Sequence, residues 1–160
     1  MPDMLVKLYA LADDWDFLAA QAEQGILIRK PIGSEKSIVV DWVREHFSNI
    51  WADETDIAFN RVPVSCFLAV KDRELIGFAC YDATALGFFG PIGVDPACRK
   101  RGTGSALLKV CLLDMKLKGY GYAIIGSTER LEFYGKAAGA VEIPDSAPSI
   151  WKTWLHKEDH

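Results

Sequence analysis

The sequence lacks the features that mark membrane proteins, secreted proteins and general nucleic-acid binders. No apolar run approaches the roughly 18 residues that a membrane-spanning helix requires. Its first residues, Met1-Pro2-Asp3, lack the basic-then-apolar order of a signal peptide. The net charge is −4, whereas proteins that bind nucleic acid through its backbone carry a basic surface. We therefore expect a cytoplasmic protein that binds neither a membrane nor nucleic acid.

Cysteine and histidine are too sparse and too scattered for a disulfide framework or a metal site. The four cysteines form no C-x-x-C pair. Those with mostly apolar neighbours should be small core residues: Cys66, Cys80 and Cys111. Cys98 lies beside three cations, which leaves open a reactive thiol or a bystander. The three histidines are distant in sequence, so no metal site is expected: His46, His156 and His160.

What the chain does contain is enough apolar sequence for one folded domain. Of its 160 residues, 50% are hydrophobic and 25% are charged, which excludes a disordered chain. That length is near the usual size of a single domain and can bury a core.

The most informative segment is a basic, glycine-rich turn between a strand-like run and an amphipathic helix. The run over residues 87–94 stops at Asp95-Pro96, and the helix begins after Gly102 and Gly104. These glycines leave backbone N–H groups unobstructed where the first amides of a helix are unpaired. The helix dipole and the cations of residues 99–101 attract an anion to the same place. The turn therefore predicts a phosphate-bearing ligand.

The spacing of the turn excludes two common phosphate loops. No Lys-Ser or Lys-Thr pair follows a glycine, as the Walker pattern demands. Leu107 occupies the position of the third glycine in a dinucleotide fingerprint. What fits is R-x-x-G-x-G, with Arg99, Gly102 and Gly104. This resembles the pyrophosphate loop of the GNAT superfamily of acyl-coenzyme A-dependent N-acyltransferases, and the resemblance extends over residues 26–155.

Hydrophobic periodicity predicts alternating strands and helices. The predicted strands are residues 5–11, 26–30, 66–70, 75–81, 86–94, 122–126, 140–143 and 150–155. The predicted helices are residues 14–24, 35–49, 103–118 and 129–138. The unit from residue 86 to 126 should form a parallel strand pair, and short connections elsewhere favour antiparallel pairing. The fold class is thus α/β, with a mixed, mostly antiparallel sheet and helices on both faces.

The resemblance adds three expectations about organisation. It implies that the parallel strand pair is splayed. It implies one acetyltransferase domain over residues 1–160. It also makes residues 1–25 an N-terminal strand and helix extension, whose strand edge could pair with a second copy or cover the acceptor cleft.

The strand over residues 86–94 contains residues that disfavour regular pairing. Gly90-Pro91 and Gly93 lie within it, so either the strand ends at Phe89 or it bulges and continues. The resemblance implies a bulge beside a gap that holds the pantetheine arm of coenzyme A. In that case Ile92, Gly93 and Val94 bind the arm, and the Val94 N–H polarises the thioester carbonyl.

Further coenzyme and catalytic residues are implied by the resemblance. Residues 132–136 resemble the family's FY-x-K segment, in which Tyr134 would protonate the leaving thiolate; alternatively it only packs its ring. Members often carry an asparagine at the start of this helix, where this chain has Ser127-Thr128-Glu129. The full set implied to bind coenzyme A is Ile92, Gly93, Val94, Arg99, Lys100, Arg101, Gly102, Thr103, Gly104, Ser105, Phe133 and Lys136.

The acceptor side is indicated by an acidic segment with aromatic neighbours. Residues 51–56 correspond to a region that borders the acceptor cleft in the resembled fold, and Glu54 could remove a proton from a cationic amine. The alternative is a solvated loop whose aromatic neighbours belong to the core.

These observations together predict an N-acetyltransferase. It would move the acetyl group of acetyl-coenzyme A directly to a primary amine of a small molecule or peptide, because no Cys–His pair is positioned for a covalent intermediate. A non-catalytic coenzyme A-binding module is the alternative. A homodimer is expected through the N-terminal arm, and no metal is expected.

Overall fold

The predicted mixed sheet is confirmed by a computed structural model, which describes residues 1–155. Its strands are β1 (Met4–Lys7), β2 (Ile26–Arg29), β3 (Cys66–Lys71), β4 (Glu74–Tyr81), β5 (Phe88–Val94), β6 (Tyr122–Ile125) and β7 (Val141–Glu142). They form one sheet in the order β2-β3-β4-β5-β6-β1-β7. Only β5 and β6 pair in parallel within the described chain, at Phe88 and Phe89.

Within residues 1–155, five α-helices cover the two faces of this sheet. They are α1 (Asp16–Glu23), α2 (Lys36–His46), α3 (Asn49–Phe59), α4 (Thr103–Leu117) and α5 (Leu131–Ala138). Alternate residues of β3 enter two separate cores, since Phe67 packs in the core with α4 and Leu68 in the core with α2 and α3. Within residues 1–155, each helix is too short or too polar to cross a membrane.

Helix α4 is the central helix, and its apolar stripe is buried as predicted. The fully buried members of that stripe are Leu107, Leu108, Cys111, Leu112 and Met115. Burial of each large side chain contributes about 1.5–3 kcal/mol relative to leaving it in water. Gly119 follows the helix with a φ of +103°, a backbone conformation that glycine adopts without a steric penalty. This stripe fixes the end of the glycine-rich turn against β4 and β5.

The N-terminal strand lies inside the sheet, which corrects the prediction that it offers a free edge. β1 is antiparallel to β6 on one side and to β7 on the other. It is also shorter than predicted, because a 3-10 turn at Leu8–Ala10 replaces its second half. Helix α1 begins after Trp15 rather than after Asp13, and the Asp14 side chain accepts a hydrogen bond from the Asp16 N–H.

The second predicted helix, residues 35–49, ends early, and the acidic segment over residues 51–56 belongs to a further helix rather than to a solvated loop. Helix α2 ends at His46, and α3 then begins after Ser48, whose hydroxyl accepts a hydrogen bond from the Trp51 N–H. Serine is a favoured residue at this capping position, which explains why the chain restarts a helix there. Glu54 therefore lies on a rigid element rather than on a solvated loop.

The end of the described chain also differs from the prediction. The strand predicted at residues 140–143 contains only β7, and residues 150–155 form no strand. A 3-10 helix, Ser149–Thr153, takes its place. The Ser149 hydroxyl donates to the Asp3 carboxylate, and Trp151 packs against Gly126, so this segment lies across the sheet end instead of extending it.

Candidate functional site

The site begins where β5 separates from β6. Pairing with β6 stops at Phe89, whereas pairing with β4 resumes at Ile92 after a shift of register. Gly90, between them, has a φ of +118°. The interpretation that the strand ends at Phe89 is therefore wrong, and the predicted bulge is confirmed. A gap opens between β5 and β6 beyond this point.

The backbone of β5 presents an N–H group to that gap. The Asp95 N–H donates to the Ile76 carbonyl of β4 over 2.8 Å. Because N–H groups alternate across a strand, the N–H of Val94 points away from β4 and toward the gap. Gly93 beside it has no room for a side chain, since a Cβ there would lie 2.4 Å from Cζ of Phe47.

The N-terminus of α4 lies next to this strand. Gly102 caps the helix with a φ of +77°, and the first helical hydrogen bond runs from the Ala106 N–H to the Gly102 carbonyl over 3.0 Å. The N–H groups of residues 103–105 precede that bond and have no acceptor within the helix. A Cβ at Gly104 would meet its nearest atom, Cγ2 of Val94, at 3.9 Å, so the space before these N–H groups is open.

A cleft of about 690 Å³ joins the strand to the helix N-terminus. It is lined by Phe47, Trp51, Ile92, Gly93, Val94, Arg99, Lys100, Gly102, Thr103, Gly104, Ser105, Arg130 and Phe133. Ten of the twelve residues predicted to bind coenzyme A are in this lining. The other two, Arg101 and Lys136, are exposed and lie outside it.

The glycine-rich turn is held from behind by helix α1. Gln21 is only 3% exposed; its Nε2 donates to the Arg101 carbonyl over 2.8 Å, and its Oε1 accepts from the Thr103 hydroxyl over 2.7 Å. Gln24 donates to the same carbonyl over 3.0 Å. Arg101 thus supports the turn through its backbone. Nothing in the sequence pattern pointed to Gln21.

A second cleft, of about 640 Å³, adjoins the first and shares Trp51, Ile92 and Arg130 with it. Its lining comes from β5, β6, α3, α5 and both ends of the described chain. Its aromatic and titratable members include Trp51, Glu54, Phe88, Glu129, Tyr134, Trp151 and Trp154, and Thr84 and Gly126 lie among them. The structure thus brings Tyr134 and Glu54, predicted from distant parts of the sequence, into one cleft.

Tyr134 lies at the inner side of the second cleft. It is 5% exposed, and its ring packs edge-to-face against Phe133 at 5.0 Å between centroids and Phe89 at 6.3 Å. Burial raises the pKa of its phenol, and the nearby positive charge of Arg130 partly opposes that rise. The hydroxyl therefore carries its proton at neutral pH and can donate it.

Glu54 is a half-buried carboxylate on α3 that accepts a hydrogen bond from the Thr84 hydroxyl. Burial raises the pKa of this carboxyl above its usual range, the Thr84 hydrogen bond lowers it, and the charge of Asp53 raises it further. A carboxylate with a raised pKa is a better proton acceptor than an ordinary glutamate.

The segment before α5, where an asparagine is common in the resembled family, is occupied by internal contacts. The Ser127 N–H donates to the Asp3 carboxylate over 2.8 Å, and the Thr128 hydroxyl accepts from the Arg130 N–H over 2.9 Å. Arg130, which was not among the predicted site residues, directly precedes the helix of the FY-x-K segment and lines both clefts.

No group of three or more metal-ligating side chains occurs within residues 1–155. His156 and His160 lie outside the described residues, and His46 stacks on Trp42. Of the four cysteines, Cys98 is partly exposed and the others are buried.

The comparison that decides the family is a match to the model of the acetyltransferase (GNAT) family over residues 36–140, more than half of the chain. The chain belongs to the GNAT acetyltransferase family. A comparison with curated protein sequences gives no match.

Solved structures agree with this GNAT fold. The glucosamine N-acetyltransferase region of a fungal multi-domain beta-N-acetylglucosaminidase has a TM-score of 0.72 at 14% identity, covering 89% of this chain and 19% of that one. A GCN5-related N-acetyltransferase from Sphaerobacter thermophilus has a TM-score of 0.67 at 21% identity. The match covers 89% of this chain and 48% of that one. This chain therefore spans about a fifth and about half of those two proteins.

A third structure adds a ligand-bound relative. A GNAT family acetyltransferase from Brucella melitensis, solved in complex with acetyl-CoA, has a TM-score of 0.53 at 18% identity. The match covers 69% of this chain and 81% of that one. At these identities the three likenesses establish the fold.

Proposed function

We propose that this protein is an N-acetyltransferase that moves an acetyl group from acetyl-coenzyme A directly to a primary amine. The observation that carries the proposal is the gap between β5 and β6, which has the Val94 N–H facing it and the open N-terminus of α4 beside it. Two adjoining clefts meet there, which is what a two-substrate transfer needs.

The first cleft suits coenzyme A. Its pyrophosphate would accept hydrogen bonds from the N–H groups of residues 103–105, with Arg99 and Lys100 supplying positive charge. The pantetheine arm would follow residues 92–94 into the gap. The acetyl-CoA complex of the Brucella melitensis relative supports this choice of donor. Arg101 and Lys136 would contribute only long-range charge.

The second cleft holds the groups that the chemistry requires. Glu54 accepts a proton from the ammonium form of the acceptor, and the free amine nitrogen then attacks the thioester carbon. The Val94 N–H stabilises the negative charge that develops on the carbonyl oxygen. The C–S bond then breaks, Tyr134 gives its proton to the departing thiolate, and the second proton lost by the nitrogen passes through solvent to restore the phenol of Tyr134. The products are the acetylated amine and free coenzyme A.

The alternative is a module that binds coenzyme A without turnover. Such a module has no need of a half-buried carboxylate and a buried phenol in the second cleft. The presence of Glu54 and Tyr134 there favours the enzyme.

The deciding experiment is an amine screen with acetyl-coenzyme A that measures release of free thiol. The panel contains spermidine, glucosamine, 2-phenylethylamine, ethylamine and a peptide with a free α-amine. We expect amine-dependent thiol release with at least one of them. Binding of coenzyme A without turnover of any amine would favour the non-catalytic module.

A further inference from the structure

The C-terminal segment of the described chain forms one wall of the second cleft. The Trp151 indole lies directly against the backbone of Gly126, where a Cβ would come within 2.5 Å of it. The indole also meets the Phe88 ring edge-to-face, at 6.2 Å between centroids and 80° between planes. Trp151 and Phe88 both line the cleft. The wall is therefore aromatic and closely fitted to the sheet end.

A buried aspartate fixes this wall in place. Asp3 is 7% exposed, and its carboxylate accepts hydrogen bonds from the Ser149 hydroxyl and from the Ser127 N–H. The Asp3 N–H donates to the Ser146 hydroxyl over 2.8 Å, and its carbonyl accepts from the Ile143 N–H over 2.8 Å. These contacts join both ends of the described chain, so the wall is built before any acceptor binds.

The opposite side of the cleft combines another indole with the buried carboxylate. Trp51 and Glu54 are three residues apart on α3 and therefore lie on the same side of that helix. The Trp51 ring is held by Phe47 at 5.1 Å and by Phe78 at 6.3 Å. The cleft thus presents flat apolar surfaces with one half-buried carboxylate beside them.

The small number of acidic residues in the lining limits how many positive charges the acceptor can carry. Within the described chain, the acidic residues lining this cleft are Glu54 and Glu129, and Glu129 is exposed beside Arg130. A polyamine or a polycationic sugar needs several carboxylates along its length. The hydroxyls of a sugar need hydrogen-bond partners, which indole and phenyl surfaces do not supply.

We infer that the acceptor is a primary monoamine carried on a flat apolar group, bound between Trp51, Phe88 and Trp151 with its nitrogen toward Glu54. This inference rests on the proposed function and narrows its acceptor. Offset or edge-to-face packing against the three rings recognises the flat group, and the carboxylate recognises the ammonium before its proton is lost.

The test compares kcat/KM for four amines with acetyl-coenzyme A. We expect 2-phenylethylamine to exceed ethylamine, spermidine and glucosamine by at least tenfold. A preference for spermidine or glucosamine would overturn the inference and leave the proposed function standing. Binding of coenzyme A with no turnover of any amine would overturn both.

Substitution of the wall separates recognition of the flat group from a general structural role. Trp151→Ala should raise KM for 2-phenylethylamine roughly tenfold and leave KM for acetyl-coenzyme A and kcat/KM for ethylamine nearly unchanged. Trp151→Phe should restore most of the loss. Tyr9→Ala, which removes an exposed aromatic ring outside both clefts, is the control and should change none of these values. An equal loss with 2-phenylethylamine and ethylamine would overturn the assignment of Trp151.

Discussion

Tyr134 combines a buried ring with a phenol proton that the proposed reaction would use. Its ring packs against Phe89 and Phe133, and burial raises the pKa of its phenol, so the hydroxyl is a stable proton donor at neutral pH. Tyr134→Phe removes one oxygen and keeps the ring packing. We expect kcat to fall by about 10²-fold, the lower end of the range for loss of a general acid, because water can partly substitute in an open cleft.

The measurements for Tyr134→Phe are kcat, affinity for coenzyme A and melting temperature. Affinity and melting temperature should stay close to those of the wild type, since the role proposed for the hydroxyl lies in the chemical step alone. Phe133→Leu alters the adjacent ring without touching the hydroxyl and is the comparison variant. An unchanged kcat in Tyr134→Phe would remove this residue from the mechanism and leave the Val94 N–H as the main catalytic group.

Ionisation of Glu54 should lower the stability of the fold, although the proposed activity requires the ionised form. Its pKa is raised in the folded protein, chiefly by burial, so the folded state binds this proton more tightly than the unfolded chain does. The stabilisation is therefore complete below the unfolded pKa and is lost as pH rises through the folded pKa. Glu54→Gln cannot ionise, and we expect its melting temperature to exceed that of the wild type increasingly as pH rises from 4 to 8.

The same variant should lose activity. A base must be deprotonated to act, so wild-type kcat/KM should fall on the acid side at a pH above the usual glutamate range of about 4.3. Glu54→Gln should lower kcat/KM roughly 10²-fold and remove this acid limb. Glu129→Gln, which changes an exposed carboxylate of the same cleft, should keep the acid limb. Its disappearance in Glu129→Gln would contradict the assignment of Glu54.

The sequence indicated the residues whose chemistry is tied to a local pattern. Gly102 and Gly104 were recognisable because a helix start needs exposed N–H groups and a turn needs a left-handed residue. Asp3 and Gln21 were not, because each satisfies polar groups that are distant in sequence. The neighbours in sequence of such a buried polar residue resemble those of an exposed one. Only the folded structure shows which of the two it is.

At the scale of elements, the sequence predicted the helices and strands that show one clear hydrophobic period. It did not predict a helix boundary that depends on a capping residue. Helix α4 and the hairpin of β3 and β4 follow clear hydrophobic periods. Positive φ at Asp72 and Arg73 forms the tight turn that a hairpin of this length needs. The sequence predicted one helix over residues 35–49, whereas α2 ends at His46 and α3 begins after the Ser48 cap. The apolar residues near the end of the described chain predicted a strand, whereas Trp151 and Trp154 line the second cleft from and after a short 3-10 helix at Ser149–Thr153, which local sequence does not reveal.

Helix α1 supports the turn on which the proposed pyrophosphate site rests. Gln21→Met keeps an unbranched side chain of similar size and loses both hydrogen bonds, to the Arg101 carbonyl and to the Thr103 hydroxyl. We expect KM for acetyl-coenzyme A to rise roughly tenfold with little change in kcat, because two bonds worth about 1 kcal/mol each no longer hold the turn. Gln24→Met removes one exposed bond and should have a smaller effect.

A truncated donor distinguishes support of the turn from general loss of structure. Acetyl-pantetheine has no pyrophosphate, so its KM should be the same for Gln21→Met and for the wild type. If both donors lose equally, Gln21 acts on the whole fold rather than on the turn.

At the scale of the whole molecule, the sheet changes the basis of the predicted homodimer. β1 has neighbours on both sides, so the strand that was expected to pair with a second copy is already paired. The strands at the two ends of the sheet are β2 and β7. The homodimer stays a prediction, and light scattering tests it: a monomer mass at tens of micromolar would contradict it.

Coenzyme A should stabilise the whole fold, because its proposed site exists only when β5, α1 and α4 are assembled. A ligand that binds only the folded state contributes RT ln(1 + [L]/Kd), about 2.7 kcal/mol at a hundred times Kd. For a domain of this size that corresponds to a rise of about 5–10 °C in melting temperature. A nucleoside triphosphate at the same concentration should give a smaller rise, since it cannot occupy the gap beside residues 92–94.

Gly104→Asp tests whether that stabilisation arises at the N-terminus of α4. The position has room for a side chain and a helical φ, and a carboxylate in the first turn of a helix is favourable, so the free protein should melt no lower than the wild type. The same carboxylate would occupy the proposed pyrophosphate position and repel it, so the rise with coenzyme A should disappear. Gly121→Asp, where a side chain also meets open space, should retain the full rise. A normal rise in Gly104→Asp would show that coenzyme A binds elsewhere.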